Sequence, residues 1–143
     1  MYESYTKQAL PEKNYRELLG SALCVFNSNN AFIVHTILKC DDLNKYDWYH
    51  LIDLPSGQLK GSVHETITSK CGAEIEQLFV KLIDMRNRII HSYQITKSGK
   101  QILATKTKVE KGNNQFEITE EYLMEFIQLN EQLSSKLHAL RGY

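Results

Sequence analysis

The chain has 143 residues, 42% hydrophobic and 24% charged, which suits one packed domain spanning 1–143. Lysine plus arginine equals aspartate plus glutamate at 17 each, so no overall charge attracts nucleic acid. Three widely spaced cysteines without a Cys-x-x-Cys pair argue against a disulfide framework and a zinc site. The sequence shows no apolar run long enough to cross a bilayer and no signal-peptide pattern, so we expect a cytoplasmic protein.

The first predicted element is a long amphipathic helix over 11–38. Its apolar residues recur at three- and four-residue spacing, and Pro11 suits a first helical position. The polar run at 27–30 is helix-weak, so it marks a kink, a break or a solvated turn of one helix. We favour one continuous helix.

Two shorter elements follow. A helix around 46–54 is expected to end before Pro55, because the residue preceding a proline avoids helical geometry. Ser56 then begins a second helix that ends at Gly72, since glycine is the usual stop. The buried positions of this second helix are predicted to be Leu59, Val63 and Ile67.

The clearest helix is predicted over 73–93, with a continuous apolar seam. The seam comprises Ile75, Leu78, Phe79, Leu82, Ile83, Ile89 and Ile90. Beyond it, the segments 102–109 and 115–118 are rich in β-branched and apolar residues and flank a Gly-Asn-Asn turn. They predict a β-hairpin that lies on the helices.

A last helix begins after Thr119, a suitable N-cap residue. Its apolar stripe is either the closing wall of a bundle or a dimer face, and consists of Tyr122, Phe126, Leu129, Leu133, Leu137 and Leu140. The predicted fold is therefore an all-α bundle of four to five helices with a small β-hairpin inserted between the last two helices.

The run Arg86-Asn87-Arg88-Ile89-Ile90-His91 gathers groups that suit phosphodiester cleavage. At about 100° per residue, Asn87 and Arg88 share a side with His91, whereas Arg86 lies about 140° from His91 and within about 20° of Tyr93. Arginine binds phosphate oxygens, histidine transfers protons near neutral pH, and Asn87 can hold the imidazole or a phosphate oxygen. No acidic cluster or His/Cys spacing supplies a metal, so we expect chemistry without metal or cofactor.

This run resembles the Arg-x4-His motif of HEPN (higher eukaryotes and prokaryotes nucleotide-binding) domains. These small helical bundles are common among toxin, abortive-infection and other defence ribonucleases. The extension to Tyr93 resembles HEPN toxins that are paired with a minimal nucleotidyltransferase antitoxin. The resemblance is sharp over 75–93 and only architectural elsewhere.

The resemblance implies a homodimeric, metal-independent endoribonuclease, a toxin or antiphage effector in which both motifs line one cleft. Arg86 would bind the scissile phosphate and His91 would act as general acid or base. The ribose 2′-hydroxyl would attack, leaving a 2′,3′-cyclic phosphate. A nucleotidyltransferase-type or other antitoxin is an expected partner, with Tyr93 as a candidate modification site.

The segment 94–115 holds five lysines and one glutamate, which suggests that the hairpin widens the RNA-binding surface. We therefore expect Arg88, Lys106 and Lys108 to bind the RNA substrate. The alternative is that the lysines only protect an exposed strand edge.

Each site residue also has a structural interpretation. In this interpretation Arg86 pairs with an acid on a solvated face, His91 is favoured at the helix end by the dipole, and Tyr93 is a packing residue. The candidate acids are Asp84, Glu76 and Glu74. The corresponding functional alternative is a catalytically silent HEPN-like binding, immunity or adaptor module that docks through the last helix.

Overall fold

The computed structural model describes residues 2–141, which form a helical bundle with a small antiparallel sheet before the last helix. The predicted fold class is confirmed. The helices are α1 Lys13–Cys40, α2 Trp48–Asp53, α3 Lys60–Val63, α4 Ser69–Cys71, α5 Glu74–Ile90 and α6 Glu120–Arg141. None of the helices within 2–141 has both the length and the hydropathy to cross a bilayer.

Helix α1 is one uninterrupted helix of 28 residues, as predicted. It begins at Lys13, so the expectation that Pro11 is its first residue is wrong. The carbonyl of Pro11 instead accepts a hydrogen bond from Nε of Arg16 at 2.8 Å. The polar run is tolerated inside the helix because Asn29 is buried and donates to the backbone and side-chain oxygens of Asn130 on α6, at 2.8 and 3.0 Å.

The middle of the chain follows the prediction closely. Helix α2 ends before Pro55, and a continuous helical segment over 56–71 ends at Gly72, which has a φ of 89°. The three predicted buried positions, Leu59, Val63 and Ile67, are all fully buried. The segment is not a uniform α-helix, because it opens with a 3₁₀ turn, Ser56–Leu59, and contains a π-helical turn, His64–Thr68.

Helix α5 ends at Ile90, three residues before the predicted end. His91 leaves helical geometry with a ψ of 24°, and the hydroxyl of Ser92 donates to the carbonyl of Ile89 at 2.7 Å. Tyr93 therefore lies outside the helix, so the prediction that it shares a helical face with Arg86 is wrong. Ile90 is 51% exposed and does not belong to the buried seam.

The sheet has three strands in the order β1-β2-β3, with β1 Tyr93–Lys97, β2 Lys100–Lys106 and β3 Gln115–Glu117. Strands β2 and β3 are antiparallel and form the predicted hairpin. The loop between them contains a 3₁₀ turn, Val109–Lys111, which shortens the first predicted strand. Strand β1 is not predicted by the sequence pattern, which places Tyr93 in the preceding helix and predicts no element for the rest of the strand.

Helix α6 closes the bundle against α1 and α5. Phe126, Leu133 and Leu137 are fully buried, so the apolar stripe is the closing wall of the core. The stripe is therefore not an open dimer face or docking face, which removes one of the two observations, beside the neutral net charge, that favoured the silent-module alternative. Thr119 caps the helix as predicted, because its hydroxyl accepts from the backbone N–H of Tyr122 at 3.0 Å.

Candidate active site at the end of helix α5

Arg86 is a partly buried cation that has no acidic partner among residues 2–141. Its guanidinium lies over the ring of Phe26 on α1, 5.2 Å from the centroid, and Nη2 donates to Oδ1 of Asn87 at 2.9 Å. Its Nε is buried and has no hydrogen-bond partner in the part of the chain that the structure describes. Burial away from water lowers the pKa of Arg86.

The acids that could have neutralised Arg86 are engaged elsewhere or do not pair with it. Glu74 contacts Lys136 at 3.4 Å, and Glu76 contacts His64 at 2.8 Å and the hydroxyl of Thr68 at 2.7 Å. Within residues 2–141 no carboxylate forms an ion pair with Arg86. The interpretation of Arg86 as half of a surface ion pair is therefore wrong.

His91 follows the last turn of α5 and is exposed. Its backbone N–H donates to the carbonyl of Asn87 at 3.0 Å, which fixes the position of the residue. The side chain borders an open groove of about 500 Å³ together with Arg88, Lys106 and Lys108. The structure thus brings together four of the predicted site residues.

Two of the three cations of this groove, Arg88 and Lys106, are held by neutral oxygens. Arg88 donates through Nη1 to the carbonyl of Lys106, and its Nε is buried without a hydrogen-bond partner among residues 2–141. Lys106 donates to Oδ1 of Asn113 at 2.6 Å. No ion pair involving Arg88, Lys106 or Lys108 occurs in the described part of the chain, and Glu110 is the one acid at the groove's border. The groove is therefore positive and suited to phosphate.

Arg88 also borders a second groove of about 270 Å³, on the side of α6. Tyr122 lies there, and its hydroxyl donates to the carbonyl of Met85 at 3.3 Å. Burial, with Asp84 nearby, raises the pKa of Tyr122 to about 12, so the phenol is a neutral hydrogen-bonding group. The sequence analysis treated Tyr122 only as an apolar residue of the stripe.

The structure does not bring all predicted residues to one place in a single chain. Arg86 packs toward α1, whereas His91 lies in the groove beside the β2–β3 loop. Tyr93 lies on the sheet, where its hydroxyl donates to Oε1 of Gln115 at 3.3 Å. Sequence reasoning missed Phe26 and Gln115, because each meets its site partner only through tertiary packing.

Within residues 2–141 no group of three or more His, Cys, Asp or Glu side chains is arranged to hold a metal ion. Comparison with protein-family models, with curated proteins and with solved structures gives no match for the chain. The functional assignment therefore depends on the chemistry of the residues described above.

Proposed function

We propose that the protein is a metal-independent endoribonuclease whose active site is shared by two copies of the chain. The observation that carries this proposal is the groove in which exposed His91 lies beside three cations, none of which forms an ion pair with a carboxylate of the described residues. Such a groove attracts a phosphodiester and presents a proton-transfer group to it. The resemblance of the Arg86 to His91 run to HEPN ribonucleases supports the same function.

In the proposed reaction the ribose 2′-oxygen attacks the adjacent phosphorus and the bond from phosphorus to the 5′-oxygen breaks. The imidazole of His91 takes the proton of the 2′-hydroxyl and then gives it to the leaving 5′-oxygen. Arg86 stabilises the charge on the phosphate oxygens. The products are a 2′,3′-cyclic phosphate and a 5′-hydroxyl.

The separation of Arg86 from His91 in one chain supports a homodimer. Arg86 lies on the α1 side of α5, so it reaches a phosphate beside a histidine more readily if that histidine is His91 of the partner subunit. A two-fold axis near the end of α5 gives two such sites, each with Arg86 of one subunit and His91 of the other. The exposed Ile90, 51% accessible, offers apolar contact area at that position.

The cellular role proposed is that of a cytoplasmic toxin or antiphage effector held inactive by an antitoxin. The hydroxyl of Tyr93 lies on an accessible side chain, 44% exposed, which suits modification by a nucleotidyltransferase-type partner. This part of the proposal depends on the family resemblance. If the chain is a toxin, we expect expression of the wild type to arrest growth and co-expression of the partner to relieve the arrest.

The test is cleavage of single-stranded RNA by purified protein in the presence of a chelator. We expect the wild type to produce 2′,3′-cyclic phosphate ends, and His91→Ala and Arg86→Ala to lose cleavage. His35→Ala, which changes an exposed histidine on α1, is the matched control and should cleave like the wild type. Undiminished cleavage by His91→Ala would overturn the proposed site, whereas absence of cleavage by the wild type would favour a non-catalytic binding module.

A further inference from the structure

One face of the sheet carries an accessible aromatic ring two residues after His91. The opposite face packs on the bundle, since Thr105 is fully buried and the ring of Phe116 lies 5.7 Å from that of Tyr122. Strand pairing aligns Tyr93 with Ala104, and Ala104 with Glu117, so these three side chains share the other face.

The ring of Tyr93 lies across the middle strand. Neighbouring strands are about 4.8 Å apart, so β1 and β3 are two such spacings from each other. The Tyr93 hydroxyl nevertheless reaches Gln115 on β3 at 3.3 Å. Ala104 is only 6% exposed beneath the ring, whereas Tyr93 itself is 44% exposed. One face of the ring is thus supported by the sheet and the other is open.

We infer that this ring is a stacking platform for one nucleobase of a single-stranded RNA. The inference rests on the proposed function, because it assigns a subsite for that enzyme's substrate. Bases stack on exposed aromatic rings of a sheet, and a side-chain amide at the ring's edge can bond to the base edge. Gln115 is that amide, and Ile95 extends the apolar surface.

The platform is continuous with the groove of His91. Lys106 pairs with Gln115 in the strand register and also borders the groove, so this lysine lies between the platform and the groove. The Cα atoms of His91 and Tyr93 are at most about 7 Å apart, because only two peptide units join them. A nucleotide whose base lies on Tyr93 therefore brings its phosphate to the groove.

The charge and size of this surface favour a base over a protein partner. Glu117, the acid of this face, is paired with Lys97 at 2.8 Å, so it does not repel a phosphate chain. The apolar part consists of one ring with Ile95 and Ala104. A stable protein interface buries about 800 Å² on each partner, several times the area of one aromatic side chain.

The experiment measures binding of two fluorescent probes to protein carrying His91→Ala, which prevents cleavage of the probe. The first probe is a short oligouridine, and the second has the same backbone without bases. We expect Tyr93→Leu to weaken binding of the oligouridine roughly 5- to 140-fold, which corresponds to about 1–3 kcal/mol, and to leave the base-free probe unchanged. Tyr93→Phe keeps the ring and should keep the affinity.

The matched control is Tyr49→Leu, which removes a ring that is 78% exposed on α2 and should leave both affinities unchanged. Equal losses for both probes, or no loss for either, would overturn the platform. Absence of binding by the parent protein would overturn it as well. Ring-dependent binding without cleavage by the wild type would sustain the platform and reject the endoribonuclease, so the two failures are distinguishable.

Discussion

Replacing Arg86 by methionine should remove most of the cleavage activity while leaving the fold stable. The substitution loses the contact with Phe26, about 0.5–1 kcal/mol, and the hydrogen bond from the charged guanidinium to Asn87, about 1.5–3 kcal/mol. It also removes the buried Nε, whose lack of a partner costs about 1–3 kcal/mol. These contributions nearly cancel, so we expect the free energy of unfolding to change by no more than about 1 kcal/mol. Loss of the phosphate contact should slow cleavage about 10²- to 10³-fold.

The assays are urea unfolding and cleavage of labelled RNA under single-turnover conditions. Arg16→Met is the matched control, because Arg16 pairs with Glu3 at 3.1 Å and donates to the carbonyl of Pro11. That variant should lose stability and keep cleavage. A loss of more than about 3 kcal/mol for Arg86→Met, beyond any of the contributions above, would show that Arg86 is a structural residue. Unchanged cleavage by this variant would refute its role on the phosphate.

Three further expectations concern the groove, the core and the pH dependence. Lys108→Gln should reduce the slope of log affinity for single-stranded RNA against log salt by about 0.7, and an unchanged slope would exclude a phosphate contact. Asn29→Ala leaves Oδ1 of Asn130 without its donor in the core and should lower the free energy of unfolding in urea by about 1–3 kcal/mol. Exposed Ser28→Ala should cost little, and equal costs would contradict the importance of the amide pair. The pKa of Tyr122 is about 12 in the folded protein, above its ordinary value of about 10. The stability that the neutral phenol contributes is therefore complete below pH 10 and falls as the pH rises toward 12. Tyr122→Phe should flatten that fall in an unfolding series, and identical profiles would show that its titration is not linked to folding.

The elements that the sequence predicted well are those determined by local periodicity. Helix α1 and the apolar stripe of α6 follow from three- and four-residue spacing. This spacing indicates a buried helical face regardless of which element packs against it. The tolerance of a polar run inside α1 depends instead on the bond from Asn29 to Asn130, 101 residues away. No local propensity carries that information.

The end of α5 shows the same limit at the site. The seam of this helix predicts its existence, yet Tyr93 becomes a strand residue because it pairs with Ala104 of β2. A strand depends on its partner strand, so the helical pattern was extended too far. The residues of the Arg86 to His91 run were found from the sequence, but the contact of Arg86 with Phe26 depends on how α1 and α5 pack.

The lysines illustrate what charge alone can predict. Their excess over 94–115 indicated an RNA-binding surface, and the structure places Lys106 and Lys108 beside His91 and Arg88. The proximity arises because the β2–β3 loop folds back over the end of α5, where Arg88 donates to the carbonyl of Lys106. Five lysines in a linear segment do not specify which of them reach the helix.

The most direct test of a shared Arg86 and His91 site is complementation between two inactive variants. Purified Arg86→Ala and His91→Ala proteins are mixed, allowed to exchange subunits, and assayed for RNA cleavage in a chelator. A mixed dimer keeps one Arg86 and one His91 on different chains, so cleavage should return and give 2′,3′-cyclic phosphate ends. A mixture that forms mixed dimers and remains as inactive as either variant alone would contradict the shared site.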